Sequence, residues 1–218
     1  MYNLYTLAPW EVRHLLEHRR LVDQALDDVI RARNEPLEIY PNYIAPVVRV
    51  ADGRRTIEPM RYGFPSPLAT SKAPVTNVRS LTSSYWRPWF KREQRCIVPA
   101  MAFAEPDRNT SKPVVFRWFG RADGLPFYFA GIWRDWNGDR GTKAKPNIGR
   151  HQLYAFLTTE PNGIVEPVHS KAMPVLLTTP DDVERWLQGS SWEDALELQR
   201  PAADDALVIL PPAPKVAA

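Results

Sequence analysis

Cysteine is almost missing from this chain. Cys96 is the only one in 218 residues, so an intrachain disulfide is excluded and a reducing compartment suits the protein. Glycine is scarce at ten residues, and none falls in a GxGxxG or P-loop arrangement that would cradle a phosphate. There is no CxxC metal pair. Of the four histidines, only His14 and His18 stand four apart, a spacing that could hold a metal on one helical face. No third ligand lies nearby, so they read as surface histidines, and neither metal nor cofactor is expected. No apolar run approaches the roughly 20 residues of a membrane span, and no basic-then-apolar segment follows Met1. These absences point to a cytoplasmic protein without a membrane partner.

Proline is abundant, at 22 residues about twice the usual frequency, and eight tryptophans accompany it. That texture predicts short strands joined by rigid turns. The expected strands are 44–50, 56–62, 95–98, 114–119, 127–133, 152–158 and a last one near 207–210. Apolar positions from Val12 to Ile30 follow one helical face, predicting a helix within 9–33 that begins near Pro9. Segment 80–94 reads as a short irregular helix limited by Pro88. Thr179–Gln188 reads as a helix capped by Thr179, with Pro180 at its first position and Asp181 and Asp182 in its first turn. The polar, basic stretch 134–151 is either a flap over a substrate or a disordered excursion, and the second is favoured. The fold class is α+β: a single domain over 1–210 with a strand-rich, barrel-like core and flanking helices, then a frayed tail over 211–218.

Charge is uneven. Arg49 to Arg95 holds ten basic residues against three acidic ones, a net of +7, whereas Asp181 to the end has eight acids and three bases, a net of −5. A polyanion lying along one face would suit this asymmetry, and so would a merely solvated basic surface.

Four polar residues beside strand-like segments are candidates for chemistry. Asn77 follows Pro74-Val75-Thr76 and could equally shape a turn. Arg79 could pair with any carboxylate. Glu105 follows the apolar Met101-Ala102-Phe103, where a buried carboxyl needs a partner or a raised pKa. His169 precedes Ser170-Lys171 and the apolar run Met173–Leu177. Their order does not spell a nucleophile–histidine–carboxylate triad. Cys96 lies inside the apolar Ile97-Val98 strand and reads as a buried structural thiol.

Several blocks, in order, resemble the SOS-response-associated peptidase (SRAP) family. They are Tyr40 through Pro46, Met60 through Phe64, Asn77-Val78-Arg79, Arg95 through Pro99 with Phe103-Ala104-Glu105, Ala130 through Trp133, and His169 through Pro174. The resemblance implies a protein of the SOS DNA-damage response that processes abasic sites in single-stranded DNA. It implies an N-terminal cysteine whose α-amine forms a Schiff base with the ring-opened sugar and whose thiol closes a thiazolidine, a covalent DNA–protein crosslink. By the same resemblance Asn77 positions the N-terminal residue, Glu105 manages proton transfers and His169 assists ring opening or imine steps. Arg79 and Lys171 hold phosphates and Pro46 shapes the lesion pocket. A monomer without cofactor, associated with the bacterial nucleoid when on DNA, is implied.

Two departures stand out. Tyr2 occupies the place of the cysteine, and a phenol cannot close a five-membered ring with its own amine. Initiator-Met removal favours a small second residue, so Met1 is expected to stay. Residues 65–74 hold Ser66, Pro67, Leu68 and Ala69 where relatives carry tryptophans, so base stacking would fall to Tyr85, Trp86 or Trp89. Crosslinking is therefore expected to be absent or impaired. The enzyme class stays open: peptidase or hydrolase by family, with the nucleophile missing. Two alternatives remain, a non-catalytic single-strand or lesion-binding module, and a peptidase acting on other proteins.

Overall fold

The computed structural model describes residues 4–7, 37–68, 71, 73–107, 109–110, 113–189 and 192–211. The helix expected within 9–33, Tyr2, and residues 212–218 of the tail lie outside the described residues.

Strands β1 (Leu4–Leu7), β2 (Leu37–Ile39), β3 (Ile44–Ala51), β4 (Arg54–Tyr62) and β5 (Asn77–Val78) come first. They are followed by β6 (Arg95–Ala100), β7 (Ala102–Asp107), β8 (Val115–Arg121), β9 (Phe127–Asp139) and β10 (Ile148–Thr159). The chain ends with β11 (Met173–Pro174), β12 (Leu176–Leu177), helices α1 (Pro180–Gln188) and α2 (Trp192–Leu198), and β13 (Leu207–Ile209).

Five strands close on themselves in the order β10-β4-β3-β6-β9 and back to β10, so the barrel has no free edge. Every pairing in the ring is antiparallel except β4 with β10, which run parallel through Arg61↔Leu153 and Tyr62↔Tyr154. A second sheet, β13-β8-β7-β1-β2, packs against it. The resulting α+β architecture is the expected one.

Aromatic side chains join the two layers. Tyr5 of β1 meets Phe129 of β9 edge-on at 5.5 Å, and Phe103 of β7 meets the same ring edge-on at 6.4 Å; within the barrel Phe129 stacks on Phe156 at 4.4 Å. Such pairs add about 0.5–1.5 kcal/mol each beyond the area they bury. Tyr5 and Tyr154 share a hydroxyl hydrogen bond of 2.6 Å, and burial drives both phenols above the ordinary tyrosine range. The folded state thus favours the protonated phenols, a contribution intact below the unfolded pKa of about 10 and lost as pH rises beyond it. In an ultraviolet titration these two tyrosines should ionise only together with alkaline unfolding. Their smooth titration near pH 10 in a folded protein, as in model peptides, would contradict the arrangement.

The helix boundaries follow the sequence. Thr179 Oγ1 accepts from the Asp182 N–H at 3.1 Å, with Pro180 at the first position. Segment 80–94 forms turns and two short 3-10 helices, Arg87–Trp89 and Arg92–Gln94.

The favoured reading of 134–151 does not hold. This stretch is a long hairpin in which β9 and β10 pair from Gly131↔Phe156 out to Asp139↔Ile148. Its polarity reflects two solvent-facing strands, held by cross-strand pairs and turn chemistry. Arg150 pairs with Asp135 at 2.9 Å, and Asp139 Oδ1 accepts from the Gly141 and Asn147 N–H groups, each at 2.8 Å.

Candidate active site

Glu105 and His169 come from different layers and meet in the interior. Glu105 stands in β7 and is 3% exposed; His169 follows a series of turns after β10 and is fully buried. The His169 backbone N–H donates to Val165 O at 2.9 Å, which fixes the turn. Its Nδ1–H donates to Ala172 O at 2.9 Å, with Glu105 Oε2 3.8 Å from the same nitrogen. Nε2 is then the bare, proton-accepting nitrogen, and it is buried without a hydrogen-bond partner. A buried polar atom of this kind calls for an explanation, and a catalytic role is one. That arrangement can perform general acid–base chemistry.

The β1–β7 register brings the amino-terminal end of the described chain to this place. Leu4 faces Ala104, the neighbour of Glu105. Across β7, Arg117 is the register partner of Glu105, but its Nε turns to Asp107 Oδ2 at 3.0 Å.

Asn77 lies in β5, parallel to β10 through Asn77↔Phe156, and is partly buried. Arg79 follows the strand. Its Nη1 donates to Thr159 O at 3.0 Å and Lys171 O at 2.6 Å, clamping the end of β10 to the segment after His169. Lys171 itself is exposed. Pro46 is placed in the barrel wall, buried in β3 opposite Pro59. The structure therefore unites Glu105 with His169 and Arg79 with the Lys171 backbone, beside Asn77.

Sequence reading missed Gln199, Tyr5 and Tyr154. Gln199 Nε2 donates to Arg79 O at 2.7 Å and Thr158 O at 2.8 Å, securing the site from behind. A glutamine far along the chain carries no local signal, and the two tyrosines look like ordinary strand residues.

Folding commits part of the basic segment to internal partners. Arg49 pairs with Glu58 at 2.6 Å and stacks over Trp133 at 4.5 Å, and Arg55 pairs with Glu184. Arg95, 3% exposed, donates to the carbonyls of Phe90, Trp186 and Gly189. Trp86 is buried against Phe64 with ring centroids 5.3 Å apart, which removes it as a platform for a base. Trp89 is capped by Arg134 at 4.0 Å, and the Tyr85 hydroxyl donates to Pro65 O. Cys96 is fully buried and burial pushes its thiol well up, as a structural role requires.

Among the described residues no group of histidine, cysteine and carboxylate side chains is arranged to hold a metal. No described helix is long and apolar enough to cross a membrane.

A closed barrel with a second sheet packed against it defines a single-domain α+β protein, and a glutamate and a histidine meet in its interior. The chain matches the SOS response associated peptidase (SRAP) family over residues 6–218 and belongs to it. It is 30% identical to the abasic site processing protein YoqW of Bacillus subtilis (strain 168), with 77% of each chain covered. It is also 30% identical to YoaM, an abasic site processing protein of the same organism, over 59% of this chain and 55% of that one. A crystal structure of a Bacteroides thetaiotaomicron protein superposes with a TM-score of 0.73 at 18% identity, covering 96% of this chain and 92% of the other. One from Bordetella bronchiseptica gives 0.69 at 24% identity, covering 96% and 98%. Both share the fold.

Proposed function

We propose that this protein recognises abasic sites in single-stranded DNA during the response to DNA damage. The observation that carries the reading is the buried Glu105–His169 pair with its bare Nε2, next to the strand end where Leu4 faces Ala104. The names of the two Bacillus relatives support it. In this reading the amino terminus, with Tyr2 at the place of the family's cysteine, faces the ring-opened sugar. Asn77 orients the terminal residue. Glu105 takes a proton from the attacking amine, and His169 handles the proton of the sugar hydroxyl. Lys171 meets a phosphate, while Arg79 fixes the Lys171 segment and offers its remaining N–H groups. Pro46 shapes the wall of the lesion pocket. The amine can add to the aldehyde carbon and expel water to give an imine. Without a thiol the reaction stops there, and the protein is a reversible lesion binder acting as a monomer.

Fluorescence anisotropy with a labelled strand carrying one abasic site tests this against intact single strands and duplex. Tighter, salt-sensitive binding to the abasic strand is expected. Equal affinity for abasic and intact strands would leave only the second reading, a non-catalytic single-strand-binding module. Failure to bind any strand would discard both.

A further inference from the structure

Three arginines away from the Glu105–His169 pair gather without a counter-charge. Arg61 leaves β4, Arg134 leaves β9, and Arg140 stands at the end of the β9–β10 hairpin. Among the described residues none of them pairs with a carboxylate. Arg61 Nη1 donates to Asn42 O at 2.7 Å, Arg140 Nη2 donates to Gly63 O, and Arg134 lies over the Trp89 ring at 4.0 Å. Arg140 is only 7% exposed and its Nε has no partner. Burial and the neighbouring Arg61 lower it to about 10. Guanidiniums set in a low-dielectric wall focus a positive field outward, and a bound anion is what relieves their mutual repulsion.

The place has a shape as well as a charge. Arg61 also lines a groove of about 490 Å³ with Ile44, Pro59, Arg150, His151 and Gln152. One loop of the chain, 64–75, leads from Arg61 and Gly63 back to Asn77. Gly63, held by Arg140, adopts φ +104°, and a Cβ there would stand 2.5 Å from Pro74 Cβ and 3.3 Å from Thr76 Cγ2. Thr76 adjoins Asn77. The arginines and Asn77 thus stand at the two roots of the loop closed by Phe64↔Val75.

We propose that Arg61, Arg134 and Arg140 form a phosphate-binding shelf that carries the sugar–phosphate backbone of the DNA strand flanking the lesion, beside the groove between β3, β4 and β10. The inference rests on the single-stranded-DNA reading above and adds a second contact outside the lesion pocket. Recognition is of backbone charge, so it is independent of sequence.

The test compares two abasic strands, one of roughly 7 nucleotides that fills only the lesion pocket and one of roughly 25 that also reaches the shelf. Arg61→Gln and Arg134→Gln should each weaken the long strand roughly three- to tenfold and lower its salt slope by about 0.7, the share of one phosphate contact. The short strand should bind as to the parent protein. Arg134→Lys should keep most of the slope. Arg54→Gln removes the same charge at the opposite end of the β3–β4 pair and should change nothing. Melting curves confirm that each variant is folded, and two separate shelf positions guard against loss of either one. Equal losses on short and long strands, or shelf variants that bind the long strand like the parent, would overturn the shelf alone. A parent protein that binds neither strand removes the single-stranded-DNA reading, and the shelf goes with it.

Discussion

Replacing Tyr2 by cysteine should turn a reversible complex into a covalent one. On a strand with a single abasic site, Tyr2→Cys is expected to give a band that survives boiling in a denaturing gel, while the parent chain gives none. The chemistry sets this contrast. Once the terminal amine has formed an imine with C1′ of the opened sugar, a thiolate on the same residue can add to that carbon. The S–C bond closes a ring of nitrogen, Cα, Cβ, sulfur and C1′, and the thiol proton ends on nitrogen. A tyrosine hydroxyl sits at the far side of a rigid ring and cannot reach. Its pKa of about 10 also leaves little phenolate at neutral pH. Cysteine is small enough for the initiator methionine to be removed, which frees the required amine.

The same variant isolates the Glu105–His169 pair. In the Tyr2→Cys background, Glu105→Gln or His169→Asn should slow adduct formation roughly 10²–10⁴-fold, the range of general acid–base assistance, with little change in strand affinity. A stable adduct formed by the unaltered chain would show that another nucleophile operates. Binding without any adduct in Tyr2→Cys would mean that the amine and the sugar do not meet in this protein.

The parts of the fold readable from sequence are those governed by local rules. Thr179, Pro180 and Asp182 announce a helix start because capping depends on neighbours only. Strands β3, β4 and β6 are legible to within two residues because alternation and proline turns bound them, whereas β9 and β10 run on past the expected 133 and 152. The hairpin from Arg134 to His151 was misjudged for the opposite reason. Its order comes from Arg150 on Asp135 and from Asp139 receiving two turn N–H groups, contacts spread over a stretch that looks merely polar. Charge was misleading in a similar way. Arg49, Arg55, Arg79 and Arg95 raise the count of the basic segment, yet folding commits each to a carboxylate or a carbonyl. Of the arginines left without a carboxylate, Arg134 and Arg140 lie beyond that segment. The Glu105–His169 meeting could be anticipated only from family resemblance, since 64 positions separate the two and nothing periodic links them.

Trp186→Ala should be the most damaging single substitution in the scaffold, costing roughly 4 kcal/mol. Trp186 is fully buried on α1, and its Nε1–H donates to Cys96 O at 2.7 Å and Gly131 O at 3.1 Å. Those carbonyls belong to a register pair of β6 and β9, so the indole pins the helix to the barrel wall. The wall is tight there: a Cβ on Gly131 would come within 2.8 Å of Cys96 Sγ. Arg95 lies over the same indole at 5.3 Å and donates to the Trp186 and Gly189 carbonyls. Truncation would empty the space, leave two carbonyls short of a donor and loosen the arginine. Trp186→Phe keeps most of the ring and should lose only about 1–2 kcal/mol, the share of the donor. For a domain whose total stability is on the order of 5–15 kcal/mol, the alanine variant approaches unfolding. The effect should reach the site, because Asp182 of α1 pairs with Arg200 at 3.1 Å and the adjacent Gln199 holds the Arg79 and Thr158 carbonyls. Urea denaturation should show a lower midpoint at unchanged slope. A loss below roughly 1 kcal/mol would mean that the helix does not depend on this anchor.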